Sequence, residues 1–240
     1  MGKVIFFSGA GLSADSGLGI FRGSNGLWDK YDINKVCNIN SWRENYDLVH
    51  EFYSMRRKEY ASAKPNNMHK TIANLQNKYG EEKVIVITQN IDNLLEEAGC
   101  SKVMHVHGHI NYIYCIKCGK KEYITDEFKD KICSCGGKIF KPYIIFFGEH
   151  APMYEPMFLA FENLSSKDGV VVVGTEGSVV PIGQMIGSFT NGIPAKRMLC
   201  NLEPSPYINA DYFNEVIYDR AENTYSKVED FAEALLKDNE

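Results

Sequence analysis

Residues 4–14 read Val-Ile-Phe-Phe-Ser-Gly-Ala-Gly-Leu-Ser-Ala, and this stretch decides the fold. Its first four side chains are β-branched or aromatic, which is typical of a buried strand. Gly9, Gly11 and Ala14 follow with the spacing Gly-x-Gly-x-x-Ala, in which glycines let the backbone approach a pyrophosphate at the start of a helix. An ordinary strand-to-helix turn shows the same short pattern. The motif alone therefore predicts strand, turn and helix, and only suggests a phosphate site.

The composition is that of an ordinary globular protein. The chain has 240 residues, of which 44% are hydrophobic and 24% charged, enough for one large domain or for a core with a smaller lobe. We expect no membrane partner, because no apolar run approaches the roughly 20 residues of a transmembrane helix. Too few residues precede the glycines for a secretory signal, so we expect a cytoplasmic chain. The net charge of −5 argues against a general nucleic-acid binder. We also expect the protein to be a monomer.

Five short apolar runs predict the strands of a parallel sheet. They are residues 4–7, 84–87, 103–106, 170–173 and 198–202. The runs are rich in β-branched residues and helical patterns separate several of them, which favours an α/β fold with strands buried on both faces. Several runs end in polar residues or glycine, and ligands of open α/β sheets bind beyond the carboxyl ends of the strands. The sequence therefore predicts a Rossmann-like sheet with a site at that edge.

Two segments interrupt this alternation and predict a small inserted lobe of helices and a zinc ribbon. Residues 41–63 have a helical pattern, and residues 111–147 carry the clustered cysteines. We expect a single domain over residues 1–240. Its Rossmann-like lobe would comprise residues 1–40, 64–110 and 148–240, and its small lobe residues 41–63 and 111–147.

The clustered cysteines pair as Cys115-x-x-Cys118 and Cys133-x-Cys135. Such close spacing in a reducing compartment indicates a metal site before it indicates disulfides. Four thiolates can hold zinc tetrahedrally, and the glycines after the second pair suit the tight turn of a zinc ribbon. Because four protein ligands leave no position for substrate, the ion would be structural. Four free thiols in a loop are the alternative interpretation.

Polar residues near the predicted strand ends are candidates for catalysis, but the pattern does not choose among them. His105, His107 and His109 alternate, so on an extended strand they would share one face. Asn90 and Asp92 could bind a ligand, or they could cap a helix that starts near Ile91.

The loop after the first helix leads to a family resemblance. Glycines punctuate residues 17–26, whereas a hydride-transfer dehydrogenase needs an uninterrupted helix there. The chain resembles the sirtuin family instead, over nearly its whole length and in the family's order and spacing. The blocks that carry the resemblance are residues 9–17, 21–22, 26–28, 88–92, 107–108, 147–149, 174–175 and 201–203.

The resemblance implies NAD-dependent removal of an acyl group from lysine. The acyl oxygen would attack the ribose carbon that bears nicotinamide, and a general base would then act on the ribose hydroxyls. The products would be lysine, nicotinamide and O-acyl-ADP-ribose. The implied catalytic residues are His107, Asn90 and Asp92. The residues implied to bind NAD are Gly9, Ala10, Gly11, Ser13, Asp15, Phe21, Arg22, Trp28, Gln89, Asn90, Ile91, Asp92, Gly174, Thr175, Glu176, Asn201, Leu202, Glu203 and Ala221.

The resemblance also bears on the acylated-lysine protein substrate. Phe147 and Gly148 are implied to pair with its backbone as an added strand. Tyr53 and Arg56 share a helix face, where a phenol and a guanidinium would bind a carboxylate. A solvated basic helix is the alternative, but Tyr-x-x-Arg at this place resembles sirtuins that remove succinyl and malonyl groups. We therefore expect a deacylase for acidic acyl groups that accepts acetyl groups as well.

Two other functions remain open at the level of sequence. An NAD glycohydrolase or ADP-ribosyltransferase would use the same activated ribose, with water or a protein nucleophile in place of the acyl oxygen. An NAD-sensing module with weak catalysis is the other. Glu176 stands where the family often has serine, and a carboxylate there would repel the NAD phosphates unless it faced ribose hydroxyls.

Overall fold

A computed structural model describes residues 2–19, 31–188 and 195–237. Its main sheet has six parallel strands. In spatial order they are β3 (Val103–His105), β2 (Val84–Thr88), β1 (Val4–Ser8), β7 (Gly169–Val173), β8 (Lys196–Asn201) and β9 (Glu215–Tyr218). The chain runs outward from β1 in one direction and then in the other. The strand order therefore reverses between β1 and β7, and a ligand crevice forms at that point.

Helices cover both faces of this sheet. On one face lie α4 (Asn67–Tyr79) and α8 (Ala221–Leu236), and on the other lie α6 (Tyr154–Glu162) and α7 (Ile182–Ser188). Strand β1 is buried throughout. Val4 and Phe6 belong to the core beneath α4 and α8, while Ile5 and Phe7 belong to the core beneath α6 and α7. This alternation explains why the strand is a continuous apolar run. The predicted Rossmann-like fold is confirmed.

The strand Glu215–Tyr218 is the one strand of this sheet that the five apolar runs did not predict. It is an edge strand, half-buried and with a charged first residue, so its sequence lacks the apolar run of the central strands.

The inserted elements form a second, antiparallel sheet with helices beside it. Its order is β5-β4-β6, with strands Lys121–Tyr123, Gly108–Cys115 and Phe140–Ile144. The helices α2 (Ile33–Val36) and α3 (Tyr46–Ser62) precede it, and short helices α1 (Gly11–Ala14) and α5 (Leu94–Glu97) belong to the main lobe. The presence of this small lobe is confirmed, while its residue boundaries stay a prediction.

Arg57 joins the two inserted segments. Its buried guanidinium donates to the carbonyls of Asp126, at 2.8 Å, and Ile110, at 3.4 Å, and to Ser54 Oγ at 2.9 Å. A side chain on α3 thus satisfies backbone carbonyls of the segment that carries the cysteines, which fixes the two inserts against each other.

Within the described residues, no helix has the length and apolar character needed to cross a membrane.

Candidate active site

A cavity of about 1020 Å³ opens at the carboxyl ends of β1, β2, β7 and β8. It lies where the strand order reverses, as expected for an open α/β sheet. Most of the predicted site residues line it. They are Gly9, Ala10, Gly11, Asp15, Tyr53, Gln89, Asn90, Ile91, His107, Phe147, Gly148, Gly174, Thr175, Glu176, Asn201, Leu202, Glu203 and Ala221. Phe21, Arg22 and Trp28 lie outside the described residues.

Close backbone packing shapes the glycine end of the cavity. Gly174 has a φ of +60°, and a Cβ there would lie 2.3 Å from the backbone nitrogen of Leu12. A Cβ on Gly11 would lie 2.7 Å from the Cα of Gly174. The β1–α1 turn and the end of β7 therefore touch through their main chains, and this leaves backbone, not side chains, facing the cavity. Such a surface suits a pyrophosphate.

Hydrogen bonds that converge on Thr175 support the adjoining wall. Asn201 accepts from the Thr175 nitrogen at 3.0 Å and donates to the Thr175 carbonyl at 2.9 Å. Gln89 Nε2 donates to Thr175 Oγ1 at 2.8 Å. Glu176 beside them is exposed, and its carboxylate accepts from Ser178 Oγ at 2.9 Å. These bonds fix the turn after β7, and the Glu176 carboxylate is engaged within its own loop.

Asp15 connects this end of the cavity to α8. Its carboxylate accepts from Arg220 Nε at 2.7 Å and from the Glu222 nitrogen at 3.0 Å. Arg220 also lines the cavity, but no sequence pattern singled it out. The ion pair holds the start of α8, and with it Ala221, against the helix that follows β1.

Asn90 is oriented by its neighbours on the floor of the cavity. Its Nδ2 donates to the Gly9 carbonyl at 3.0 Å and to Ser13 Oγ at 3.1 Å. Because both amide hydrogens are used, Oδ1 is the atom of this amide left to accept a hydrogen bond from a ligand or water. The hydrogen-bond network thus determines which way the amide faces.

Ser13 and Asp92 lie behind Asn90. Ser13 Oγ donates to Asp92 Oδ2 at 3.0 Å, and Asp92 Oδ1 accepts from the Leu94 nitrogen at 3.1 Å. Burial raises the pKa of Asp92, with these bonds acting in the opposite direction. Both residues line a small space next to the main cavity, with a volume of about 10 Å³. The bond to Leu94 shows that Asp92 also stabilises the start of a helix, which begins at Leu94 and not near Ile91 as the capping alternative expected.

His107 is the one predicted histidine of the three that lines the cavity. Strand β3 ends at His105 and β4 begins at Gly108, so His107 lies in the link between two sheets. Gly108 permits this link, since its φ is +85° and a Cβ would lie 2.2 Å from the Tyr143 carbonyl oxygen. His105 and His109 lie outside the cavity lining, and this tertiary arrangement makes the choice that strand alternation could not.

The tautomer of His107 follows from its partners. Nδ1 lies 3.1 Å from the Gln89 carbonyl oxygen, which can only accept, so Nδ1 carries the hydrogen. Nε2 therefore has the free lone pair and lies 3.0 Å from the hydroxyl of Tyr154. Burial lowers the pKa of His107, with the bond to Gln89 in partial opposition. The ring is neutral near pH 7 and presents a basic nitrogen to the cavity.

Behind the site, Glu96, His105 and His109 form a second cluster of potential metal ligands, with ligand atoms within 4.8 Å of one another. His105 Nδ1 lies 2.9 Å from the Asn90 carbonyl and Nε2 lies 2.7 Å from Glu96. His109 Nδ1 accepts from the Asn111 nitrogen at 3.1 Å, so its Nε2 carries the hydrogen and cannot ligate. Glu96 and His105 are therefore a hydrogen-bonded brace for Asn90, and His109 is bonded separately to Asn111.

The charge of this brace predicts a pH-dependent stability. His105 faces two acceptors, so both ring nitrogens donate and the ring is an imidazolium. Burial opposes that charge, but Glu96 outweighs it and the pKa of His105 is raised. A raised folded-state pKa stabilises the protein below the unfolded value and loses this effect as pH rises through the folded value. Glu96→Gln should lower the free energy of unfolding by about 1 kcal/mol near pH 6 and by less near pH 9.

Urea denaturation at both pH values measures this difference. Glu97→Gln is the matched control, because Glu97 is an exposed neighbour that pairs with Asn93. An equal loss at both pH values would show that Glu96 does not act through the charge of His105.

The four clustered cysteines come together in the small lobe. Cys115 and Cys135 have sulfurs 3.7 Å apart, as do Cys118 and Cys133. Tetrahedral zinc with bonds of about 2.3 Å places its sulfur ligands about 3.8 Å apart, so the four thiols fit one structural zinc ion. Gly137 lies against them, where a Cβ would be 2.5 Å from Cys115 Sγ. Both sulfurs of the Cys133-x-Cys135 pair thus belong to the four-thiol cluster.

Tyr53 and Arg56 have different surroundings. Tyr53 lines the cavity, with its hydroxyl bonded to Cys37 and its ring stacked on Phe146. Arg56 is buried one turn further along α3 and is not part of the cavity lining. Its guanidinium pairs with Glu59 and donates to the hydroxyl of Tyr60 at 2.7 Å. The two predicted carboxylate ligands therefore do not share a pocket.

Phe147 lines the cavity and pairs through its backbone with residues 37–39. Its nitrogen donates to the Cys37 carbonyl at 2.9 Å, and its carbonyl accepts from the Ile39 nitrogen at 3.1 Å. Gly148 follows with a φ of +81°. The segment is thus extended, partly exposed and held on one side, which is compatible with an edge that receives a peptide.

The fold and the site together define a class of protein. A Rossmann-ordered sheet, a backbone-lined crevice, a neutral histidine in that crevice and a four-thiol metal site are the equipment of a dinucleotide-dependent enzyme with structural zinc. The chain belongs to the Sir2 family, whose sequence pattern matches residues 9–181.

Individual relatives agree with this assignment. The NAD-dependent protein deacylase of Helicobacter hepaticus is 40% identical over 249 aligned positions, covering 95% of this chain and 96% of the relative. A Sir2 homologue mutant solved with ADP-ribose superposes with a TM-score of 0.85 at 24% identity, covering 99% and 95% of the two chains, which supports the fold. A Sir2 variant solved with a deacetylated p53 peptide and 3′-O-acetyl-ADP-ribose has a TM-score of 0.76 at 27% identity, covering 95% and 93%.

Proposed function

We propose that this chain is an NAD-dependent protein deacylase, with NAD as co-substrate and zinc as a structural ion. The observation that carries the proposal is His107, a neutral histidine whose Nε2 faces a cavity lined by the glycine turns. The NAD-dependent deacylase relative and the Sir2 structure with an acetyl-ADP-ribose product support the same chemistry. When bound, NAD supplies an electrophilic ribose carbon and nicotinamide as the leaving group.

The residues of the chain divide the work between two ends of the cavity. The main-chain surface at Gly9, Gly11 and Gly174 binds the pyrophosphate, because no side chain separates the backbone from it. Asn90 Oδ1 accepts a hydrogen bond on the nicotinamide side, and Asp92 behind it holds Ser13 in place. His107 Nε2 would then be the final acceptor of a ribose hydroxyl proton, which would free that oxygen to attack the acyl carbon.

We further propose that acidic acyl groups, succinyl and malonyl, are accepted as well as acetyl. Tyr53 lies in the cavity wall, and Arg56 follows it one turn later on the same helix. Arg56 now pairs with Glu59, whose half-exposed carboxylate can withdraw to solvent. A bound acyl carboxylate would take the place of Glu59 and form charge-assisted hydrogen bonds with the guanidinium.

Mass spectrometry of matched acetyl-, succinyl- and malonyl-lysine peptides, with and without NAD, tests both proposals. Arg56→Met should lower kcat/KM for the succinyl peptide about 100-fold, since a charged hydrogen-bond partner contributes about 1.5–3 kcal/mol. The acetyl peptide should be nearly unaffected. Lys58→Met is the control, because Lys58 lies on the same helix but is exposed and pairs with Glu127.

The outcomes separate the alternatives. Equal losses for acetyl and succinyl peptides in Arg56→Met would overturn the acidic preference and leave the deacylase. NAD consumption to free ADP-ribose without an O-acyl product would indicate a glycohydrolase or ADP-ribosyltransferase. NAD binding without turnover would indicate a sensor.

The cytoplasmic location, the monomeric state and the lack of nucleic-acid and membrane partners stay predictions.

A further inference from the structure

Tyr154 makes a contact in the cavity that the sequence motifs did not indicate. Its hydroxyl lies 3.0 Å from His107 Nε2, and both residues line the cavity. Because the Gln89 carbonyl keeps the hydrogen of His107 on Nδ1, the Tyr154 hydroxyl is the donor and Nε2 the acceptor. The lone pair needed for base catalysis is therefore already bonded to a phenol.

Packing on helix α6 positions the phenol. Tyr154 begins helix α6, and its ring packs edge-on against Phe158, one turn later, with centroids 6.2 Å apart. Both rings pack against the hydrophobic core that lies between the main sheet and helices α6 and α7. This packing places the hydroxyl beside Nε2, so a substrate hydroxyl that approaches the imidazole from the cavity also meets the phenol.

The protonation states of the pair suit a relay. Burial raises the pKa of Tyr154, so the phenol keeps its proton at neutral pH. Burial lowers the pKa of His107, so the imidazole remains able to accept one. A phenol oxygen can accept one hydrogen bond while it donates another. The pair can thus pass a proton in one direction, from the cavity to Nε2.

We propose that Tyr154 is a proton-relay residue between the ribose hydroxyl of NAD and His107. The ribose O–H bond breaks as its proton passes to the phenol oxygen, and the phenol proton passes to Nε2. Tyrosine ends neutral, His107 ends as an imidazolium, and the ribose oxygen gains the electron pair with which it attacks the acyl carbon. The inference rests on the proposed deacylase function.

Tyr154→Phe tests the relay, since it removes the hydroxyl and keeps the ring. O-acyl-ADP-ribose formation should slow about 100-fold, within the range of a general acid–base contribution. Exchange of labelled nicotinamide should stay near the wild-type rate, because nicotinamide leaves before the base acts. In mixtures of H₂O and D₂O, the wild-type rate should fall along a curve, as expected for two protons in flight, and the variant rate along a line. Tyr207→Phe is the control, because Tyr207 is exposed and outside the cavity lining.

A measurement without substrate separates this proposal from the proposed function. In ¹⁵N NMR of the unliganded protein, His107 Nε2 should show a hydrogen-bonded, unprotonated nitrogen that loses its hydrogen bond in Tyr154→Phe. A wild-type protein that shows this signal but no deacylation would overturn the proposed function. An active wild type whose Tyr154→Phe variant keeps full turnover, or loses exchange and turnover equally, would overturn the relay. An unchanged Nε2 signal would do the same.

Discussion

Replacement of His107 with alanine should lower the rate of O-acyl-ADP-ribose formation by about 10²–10⁴-fold, the usual contribution of a general base. The variant loses the neutral nitrogen whose lone pair is directed into the cavity by the bond from Nδ1 to Gln89. The expected loss is in kcat, because the ring acts on the ribose hydroxyl after NAD has bound. Nicotinamide exchange should persist, since departure of nicotinamide needs no proton from the ribose.

Parallel assays of product formation and nicotinamide exchange measure this separation. His109→Ala is the matched control, because His109 belongs to the same alternating series and lies outside the cavity lining. If His109→Ala were as impaired as His107→Ala, the choice of base made from the cavity would be wrong. If His107→Ala lost exchange and product formation alike, the residue would be needed for binding or folding.

Loss of the zinc site should have the second large effect, on stability. Without the ion, four thiols lie together in a lobe whose local core is small, comprising Ile113, Cys115, Cys133 and Phe140. Zinc contributes about 10–16 kcal/mol to isolated zinc fingers, and packing through Arg57 replaces part of that here. Cys118→Ser should still lower the free energy of unfolding by about 3–5 kcal/mol and the Tm by about 10 °C.

Metal analysis and thermal unfolding check this expectation. The wild type should contain one zinc ion per chain and the Cys118→Ser variant much less. Ser134→Ala is the control, because Ser134 is exposed between two of the ligands. NAD binding to the variant, measured at low temperature, should be largely retained, since the glycine turns lie in the other lobe. A metal-free wild type, or an unchanged Tm, would contradict a structural zinc ion.

Local patterns were sufficient for much of the fold. Residues 4–14 predicted strand, turn and helix, and the structure has β1 over Val4–Ser8 and a helix from Gly11. The cysteine spacing was sufficient for the metal site, because each pair lies within a single short turn of the chain. By contrast, the edge strand Glu215–Tyr218 carried too weak a pattern, since its burial depends on one neighbouring strand.

The site was less accessible to sequence, because its contacts join residues far apart in the chain. The family resemblance selected His107, but the pairing of its Nε2 with Tyr154 spans 47 positions and follows no motif. Arg220 reaches the cavity through an ion pair with Asp15 across 205 positions. The helix spacing predicted a shared face for Tyr53 and Arg56, but Glu59 and Tyr60 decide where the guanidinium points.

The sequence by itself determined the Sir2 family, the parallel sheet, the glycine turn and the zinc ligands of this protein. These depend on residue type and short spacing, which local backbone geometry converts directly into structure. Only the tertiary structure decided which nitrogen of His107 is basic, and that Glu96 and His105 brace Asn90 while His109 bonds separately to Asn111. A tautomer or a charge depends on which donors and acceptors surround a ring, and those neighbours come together only when distant strands and helices pack.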